Sequence, residues 1–272
     1  MKTIDRQLKR GGALFVAALI FAAPLFGQEY EELKRRVEKI EAAVKLLVEK
    51  EKGGAATAVA EKKKEAVDFE ALIARLKQGN ERFVAGKTSR KDLVKRRAEL
   101  ASGQRPYAII VCCADSRVPP ELLFDESLGQ LFVVRSAGNV LDSVAIGSIE
   151  YAVEHLHAPL LAVVGHTSCG AVKAAAAGGH LPSHLPSIVT RLQSAVDAGK
   201  KKTADENALV GACVEENVRI QLARLLKESS IVKEAVENNH LKVVGSVYHL
   251  DDGKAEFLQV SHEPLTANAK AH

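Results

Sequence analysis

Tyr107-Ala-Ile-Ile-Val-Cys-Cys-Ala-Asp-Ser-Arg117 is the stretch from which the fold can be read. Its first six residues form an unbroken apolar run, the mark of a strand buried on both faces, as in a parallel sheet. The five that follow, Cys113-Ala-Asp-Ser-Arg117, carry chemistry rather than packing. A second stretch has the same plan: apolar Leu160–Val164, then His166-Thr-Ser-Cys169, then a small-residue helix over Gly170–Ala177. Strands alternating with helices predict an α/β fold. Both chemical stretches then sit at carboxyl ends of strands, where parallel sheets build their sites. Two soft thiolates and one imidazole form a zinc ligand set. Residues 114–165 separate Cys113 from His166, too far for a compact zinc finger, and three ligands leave a fourth position for water. The pattern is that of a catalytic zinc site.

Working outward, further strands are predicted at Leu131–Arg135, Val243–Tyr248 and Glu256–Val260. Helices are predicted near Asp142–His157, His184–Ala198, Glu206–Lys227 and Ile231–Asn238. Asp68 is placed to cap a helix bearing Phe69, Leu72, Ile73, Leu76 and Phe83 on one face, with a second, more basic helix over Arg90–Ser102. The expectation is a mostly parallel central sheet of four to five strands flanked by helices, in a catalytic domain spanning 67–262. Asp251-Asp-Gly253 marks a turn between the last two strands, and 263–272 read as a flexible tail.

The amino-terminal quarter has a different character. Lys2, Arg6, Lys9 and Arg10 precede the uncharged apolar segment Gly11–Phe26, the layout of a signal peptide over 1–27 and hence of an exported, periplasmic protein. An uncleaved membrane anchor is the rival reading, and the only one that involves a membrane. Tyr30, Leu33, Val37, Ile40, Val44 and Leu47 repeat every 3.5 residues, so 28–51 reads as a heptad-patterned helix. Its alternatives are a coiled coil and a helix packed on its own domain. Gly53–Ala66, within the segment 52–66, reads as a linker.

Composition narrows the function classes. The formal charge is +4, and residues 1–27 hold four of the 38 basic and one of the 34 acidic groups, leaving +1 for the remainder. That balance carries no electrostatic footprint for nucleic acid. Four cysteines, with Cys112 and Cys113 adjacent, form neither a disulfide framework nor a C-x-x-C redox pair. A Cys112–Cys213 disulfide remains an option in an oxidising compartment. The remaining histidines, His155, His180 and His184 among them, read as surface or satisfied core residues. Asp115 and Arg117, two apart on an extended loop, can point together and hold a carboxylate ionised beside the metal. The bland alternative is that Asp115 or Ser116 shapes a turn while Arg117 makes a surface ion pair.

At these residues the sequence resembles the beta class of carbonic anhydrases. Cys113-x-Asp115-Ser116-Arg117 and His166-x-x-Cys169 match that family's zinc and dyad motifs. The likeness continues through Val118-Pro-Pro-Glu121, Leu131-Phe-Val-Val-Arg135, Ala137-Gly-Asn139 and Ile149-Glu-Tyr151. The resemblance implies one Zn2+ per chain held by Cys113, His166 and Cys169, with Asp115 and Arg117 as the catalytic dyad. It implies reversible hydration of carbon dioxide to bicarbonate and a proton by zinc-bound hydroxide, in a homodimer or dimer of dimers with sites close to the dimer interface. Gln104, Phe132 and Tyr151 match the substrate pocket of the plant-like subset; by residue type alone Phe132 and Tyr151 read as core. The other subset's bicarbonate site uses a tryptophan, and this chain has none. The rivals are hydrolysis of carbon disulfide or carbonyl sulfide on the same framework, and non-catalytic zinc or bicarbonate binding.

Overall fold

The computed structural model describes residues 31–32, 34–42 and 67–258, and the chain divides into two compact units at 66/67. In the first unit, 31–32 and 34–42 are helical and Ile40 is 62% exposed. The expected signal segment 1–27, the linker 52–66, the heptad positions Val44 and Leu47 and the tail 263–272 lie outside the described residues. Among the described residues no helix is long and apolar enough to cross a membrane.

The second unit is built on a five-stranded sheet in the order β2-β1-β3-β4-β5, with β1 Ala108–Cys113, β2 Leu131–Ser136, β3 Leu160–His166, β4 Lys242–Tyr248 and β5 Ala255–Leu258. The first four strands are parallel, and β5 closes the sheet antiparallel to β4 through the Gly253 turn. β1 and β3 are central and buried at every position. This is why their sequences are continuous apolar runs rather than alternating ones. Both run one or two residues further than the apolar pattern suggested, so Cys113 and His166 are the last residues of their strands, not the first of the loops.

The helices are α1 Phe69–Val84, α2 Leu93–Glu99, α3 Pro120–Leu123, α4 Ser143–Glu154, α5 Gly170–Ala177, α6 Leu185–Lys202, α7 Glu206–Glu228 and α8 Ser230–Glu237. Asp68 caps α1 by accepting from the Ala71 amide at 2.9 Å. The one-turn helix α3 was not anticipated, because four residues starting at Pro120 show no periodicity. α7 is the long one and packs on β3, β4 and α6, burying Cys213, Val214, Val218, Leu222 and Leu225 together with the polar Asn217 and Gln221.

α1 is locked to the turn after α3. Gly79 lies so close to the Phe124 backbone that an added Cβ would sit 1.9 Å from its carbonyl oxygen. The Asp125 carboxylate, fully buried, takes Arg82 Nε at 2.6 Å, the Ser89 hydroxyl at 2.8 Å and the Lys91 ammonium. Burial opposes its ionisation, but Lys91, Arg82 and Ser89 together hold it well below the usual carboxylate range. A carboxyl with a lowered folded-state pKa stabilises the fold above its unfolded value, and that contribution is lost as pH falls through the folded one. Asp125→Asn is expected to cost about 3 kcal/mol, the lower end for breaking a buried pair since Arg82 keeps some access to water. Urea denaturation at pH 7 checks this; an unchanged midpoint would mean that the cluster contributes nothing.

Candidate metal centre

Strand register builds the centre. β1 and β3 are neighbours with Cys112 level with Val164, so the ends that carry Cys113 and His166 are side by side, about 5 Å apart across the ladder. After His166 the chain turns sharply. The Thr167 amide donates to Tyr248 O at 2.9 Å, the Leu250 amide donates to Thr167 Oγ1 at 3.0 Å, and Ser168 takes a left-handed φ of 55°. For a residue other than glycine this is a strained setting that the surrounding contacts must hold. The turn brings Cys169 back beside His166 as the N-cap residue of α5.

Cys113, His166 and Cys169 are all buried, and their ligand atoms lie within 4.8 Å of one another. Tetrahedral zinc with bonds of about 2.0–2.3 Å keeps its ligands roughly 3.3–3.8 Å apart, within that limit. The histidine supplies the stronger test of fit. His166 Nδ1 is 2.9 Å from Thr167 O; a carbonyl only accepts, so Nδ1 carries the proton. Nε2 is then a bare lone pair, buried and without a hydrogen-bond partner. Leaving such an atom unmade is costly, and a cation between it and the two sulfurs satisfies it. The donor set fits zinc.

The sulfurs are tuned by their surroundings. Cys113 is drawn down to about 4, first by the hydrogen bond with Cys169 and then by His166 and the amides of Asp115 and Gly138, against burial. Cys169 is pushed up by that same bond and by burial, although the Ala171 and Val172 amides of the first α5 turn oppose the rise. The two thiols are thereby linked: ionising one holds the proton more firmly on the other. A dication favours the loss of that proton too.

Asp115 stands at the edge of the cluster, its Oδ2 3.9 Å from His166 Nε2. Arg117 grips it with Nε to Oδ1 at 2.9 Å, Nη2 to Oδ2 at 2.7 Å and its own amide to Oδ1 at 3.0 Å. This hydrogen bonding holds the carboxyl well below the usual carboxylate range. The loop from Cys113 to Asp115 is fixed by a residue that stands outside both motifs. Arg135, on β2, donates from Nε to Cys113 O at 3.0 Å and from Nη2 to Asp115 O at 2.6 Å. Sequence spacing could not reveal this, because the bonds exist only once β2 pairs with β1.

The three residues expected to line the substrate pocket lie away from this cluster. Gln104 is exposed in the loop before β1 and makes no hydrogen bond with the cluster among the described residues. Phe132 and Tyr151 do face each other, with ring centroids 6.4 Å apart, and Tyr151 also lies 5.1 Å from the His155 ring. However, Phe132 is level with Ile109, whereas Cys113 is level with Ser136. Four residues of strand, roughly 13 Å, separate Phe132 from the cluster of its own chain. The aromatic pair lies on the outer side of the sheet, where β2 is an edge strand and Tyr151 is 48% exposed. Cys112 and Cys213 are free buried thiols with different neighbours, Val118 O and Val196 O, so the structure has no disulfide between them.

Residues 108–255, from β1 to β5, match the family model described as carbonic anhydrase. Carbonic anhydrase 2 of Mycobacterium tuberculosis is 46% identical over 185 residues, covering 66% of this chain and 88% of that protein. A beta-carbonic anhydrase of Aspergillus fumigatus, CafA, superposes with a TM-score of 0.58 at 28% identity, over 73% of this chain and 93% of that one. This chain belongs to the beta-carbonic anhydrase family. It is an enzyme of that family, and the matched segment contains all three cluster residues together with Asp115, Arg117 and Arg135. One of two beta-carbonic anhydrases described as tetrameric, from Sordaria macrospora, gives a TM-score of 0.57 at 26% identity, over 60% of this chain and 86% of that one. The helical residues 31–32 and 34–42, α1 and α2 lie outside the family match.

Proposed function

We propose that the enzyme catalyses the reversible hydration of carbon dioxide to bicarbonate and a proton, with one zinc ion held by Cys113, His166 and Cys169. The observation that carries this reading is the buried, unpartnered Nε2 of His166 converging with two thiols beside an ionised carboxylate. Zinc, when bound, supplies the Lewis acidity that makes a water molecule nucleophilic near neutral pH. Asp115 accepts a hydrogen bond from the attacking water and aims it, and Arg117 keeps Asp115 ionised and turned toward the site. Arg135 fixes the loop that carries both Cys113 and Asp115. Gln104, in the loop before the far end of β1, donates to an oxygen of the developing bicarbonate in the site of a second subunit.

Phe132 and Tyr151 form the apolar wall against which carbon dioxide rests, in the site of a second subunit. Their distance from their own cluster, the exposure of Tyr151 and the edge position of β2 support that placement. The amino-terminal helix adds a second association. With Val37 at a heptad a position and Leu33 and Ile40 at d, Glu29 and Arg36 fall at g and Lys34 and Glu41 at e. In a parallel pair each g faces the e′ five residues on, so Glu29 meets Lys34 and Arg36 meets Glu41, opposite charges in both cases. A dilution series followed by light scattering, turnover and zinc content tests the assembly. Activity falls as subunits separate while zinc stays bound, and Val37→Lys/Ile40→Lys raises the concentration at which this happens. Full turnover by monomers would remove the second subunit from the site.

Stopped-flow carbon dioxide hydration on zinc-loaded protein tests the function itself. Turnover is expected at pH 8.5, abolished by a chelator and restored by zinc. Two thiolates cancel the cation's charge, whereas three neutral histidines leave it intact, so activity rises on the alkaline side of neutrality. A plateau already complete at pH 6.5 contradicts the charge argument, and no turnover with one zinc per chain rejects the reaction. Residues 1–27 serve as the signal for export to the periplasm in this reading. The periplasmic protein should begin near Gln28; an intact Met1 in a membrane fraction would replace the signal by an anchor.

A further inference from the structure

Helix α7 carries a buried polar pair on its otherwise apolar inner face. Asn217 is 1% exposed and Gln221 is fully buried, one helical turn apart and therefore on the same face. Gln221 Nε2 donates to Asn217 Oδ1 at 3.0 Å, which orients the asparagine amide; Gln221 Oε1 accepts from the Leu141 amide at 3.1 Å. Asn217 Nδ2, so oriented, donates to Gly138 O at 2.8 Å. The loop 137–141 is thus held from α7 at both ends.

Gly138 is also the residue whose amide donates to Cys113 Sγ, at 3.2 Å. It has a left-handed φ of 66°, and a Cβ there would lie 3.1 Å from Leu192 Cδ1 and 3.2 Å from Ala171 Cβ. The glycine is therefore wedged between α6 and α5 with little freedom to find another arrangement. A continuous path of hydrogen bonds runs from Gln221 through Asn217 and Gly138 to the metal-binding sulfur. An N–H directed at a thiolate withdraws electron density from it, so this path bears on how strongly Cys113 donates to a bound cation.

We propose that Asn217 and Gln221 are positioning residues of the metal centre, which set the Gly138 amide on the Cys113 sulfur and thereby its donor strength. The proposal rests on the reading of Cys113, His166 and Cys169 as a metal site. The full chain, loaded with cobalt(II) in place of zinc, separates the two. Wild-type protein should show near-ultraviolet sulfur-to-cobalt charge-transfer bands; their absence removes the metal site itself. In Asn217→Ala and Gln221→Met the bands should move to longer wavelength, because the sulfur that loses its hydrogen bond gives up charge more readily. Leu225→Ala, equally buried on α7 but outside the hydrogen-bonded path, should leave the bands in place. Unmoved bands in cobalt-loaded Asn217→Ala or Gln221→Met, or an equal shift in Leu225→Ala, overturn the positioning role. The unmutated protein gives a check that needs no variant to fold. Loaded with spin-half cadmium, it should show coupling between the Gly138 amide proton and the metal through Cys113, and no coupling overturns the proposal.

Discussion

Asp115→Asn should keep its zinc and lose about 10²–10⁴-fold in kcat, the range for removing a positioned proton acceptor. The substitution is nearly isosteric, and Asp115 is not one of the three clustered ligand residues, so metal content should match wild type. What is lost is the negative charge and one of two accepting oxygens. Both oxygens are occupied by Arg117, and the one nearer the cluster is 3.9 Å from His166 Nε2. The pH dependence gives an independent check. Arg117 holds the Asp115 carboxyl well below the usual range, so it is ionised at every pH at which the enzyme would be assayed. A group with a lowered pKa loses its contribution only as pH falls through that low value. The residual activity of Asp115→Asn should therefore follow the same pH profile as wild type between pH 6 and 9. Loss of a limb in that range would mean that Asp115 titrates there and that its pairing with Arg117 breaks during turnover.

His166→Ala should abolish turnover, with zinc content near zero. His166 is the one neutral ligand, held in a single tautomer by Thr167 O, and its removal leaves two sulfurs that repel one another once both are ionised. Thermal unfolding distinguishes a lost metal site from a damaged fold. A ligand that binds only the folded state stabilises it by about 4 kcal/mol at a thousandfold excess over Kd. Zinc should accordingly raise the Tm of the wild-type apoprotein and leave that of His166→Ala unmoved. A zinc-dependent rise in the variant, or measurable zinc-dependent hydration by it, would take His166 out of the ligand set.

The sheet was legible because β1 and β3 are central. A strand buried on both faces is apolar along most of its length, and Tyr107–Cys112 and Leu160–Val164 show this without any knowledge of neighbours. The boundaries were less legible, since Cys113 and His166 read as chemical residues of the loops yet sit in the ladder. The candidate metal ligands stood out because few residue types bind zinc and these recur in the same local setting, at the end of an apolar run. The Asp115–Arg117 pair could be recognised because it is local, two residues apart.

Arg135, Gly138, Asn217 and Gln221 could not be given roles in this way. Arginine at the end of a strand and Asn or Gln within a helix are ordinary surface choices, and nothing within a few residues of them marks them as buried or bonded to the site. Their partners lie from 20 to 80 residues away in the chain. The position of Phe132 and Tyr151 was hidden for the same reason, since it depends on Ile109, not Cys113, standing beside Phe132. The sequence alone determined which side chains can bind the metal and which runs must be buried, because residue chemistry and local periodicity are properties of neighbours along the chain. Only the tertiary structure decided what those side chains touch, because strand register and helix packing are set by contacts between residues far apart in sequence.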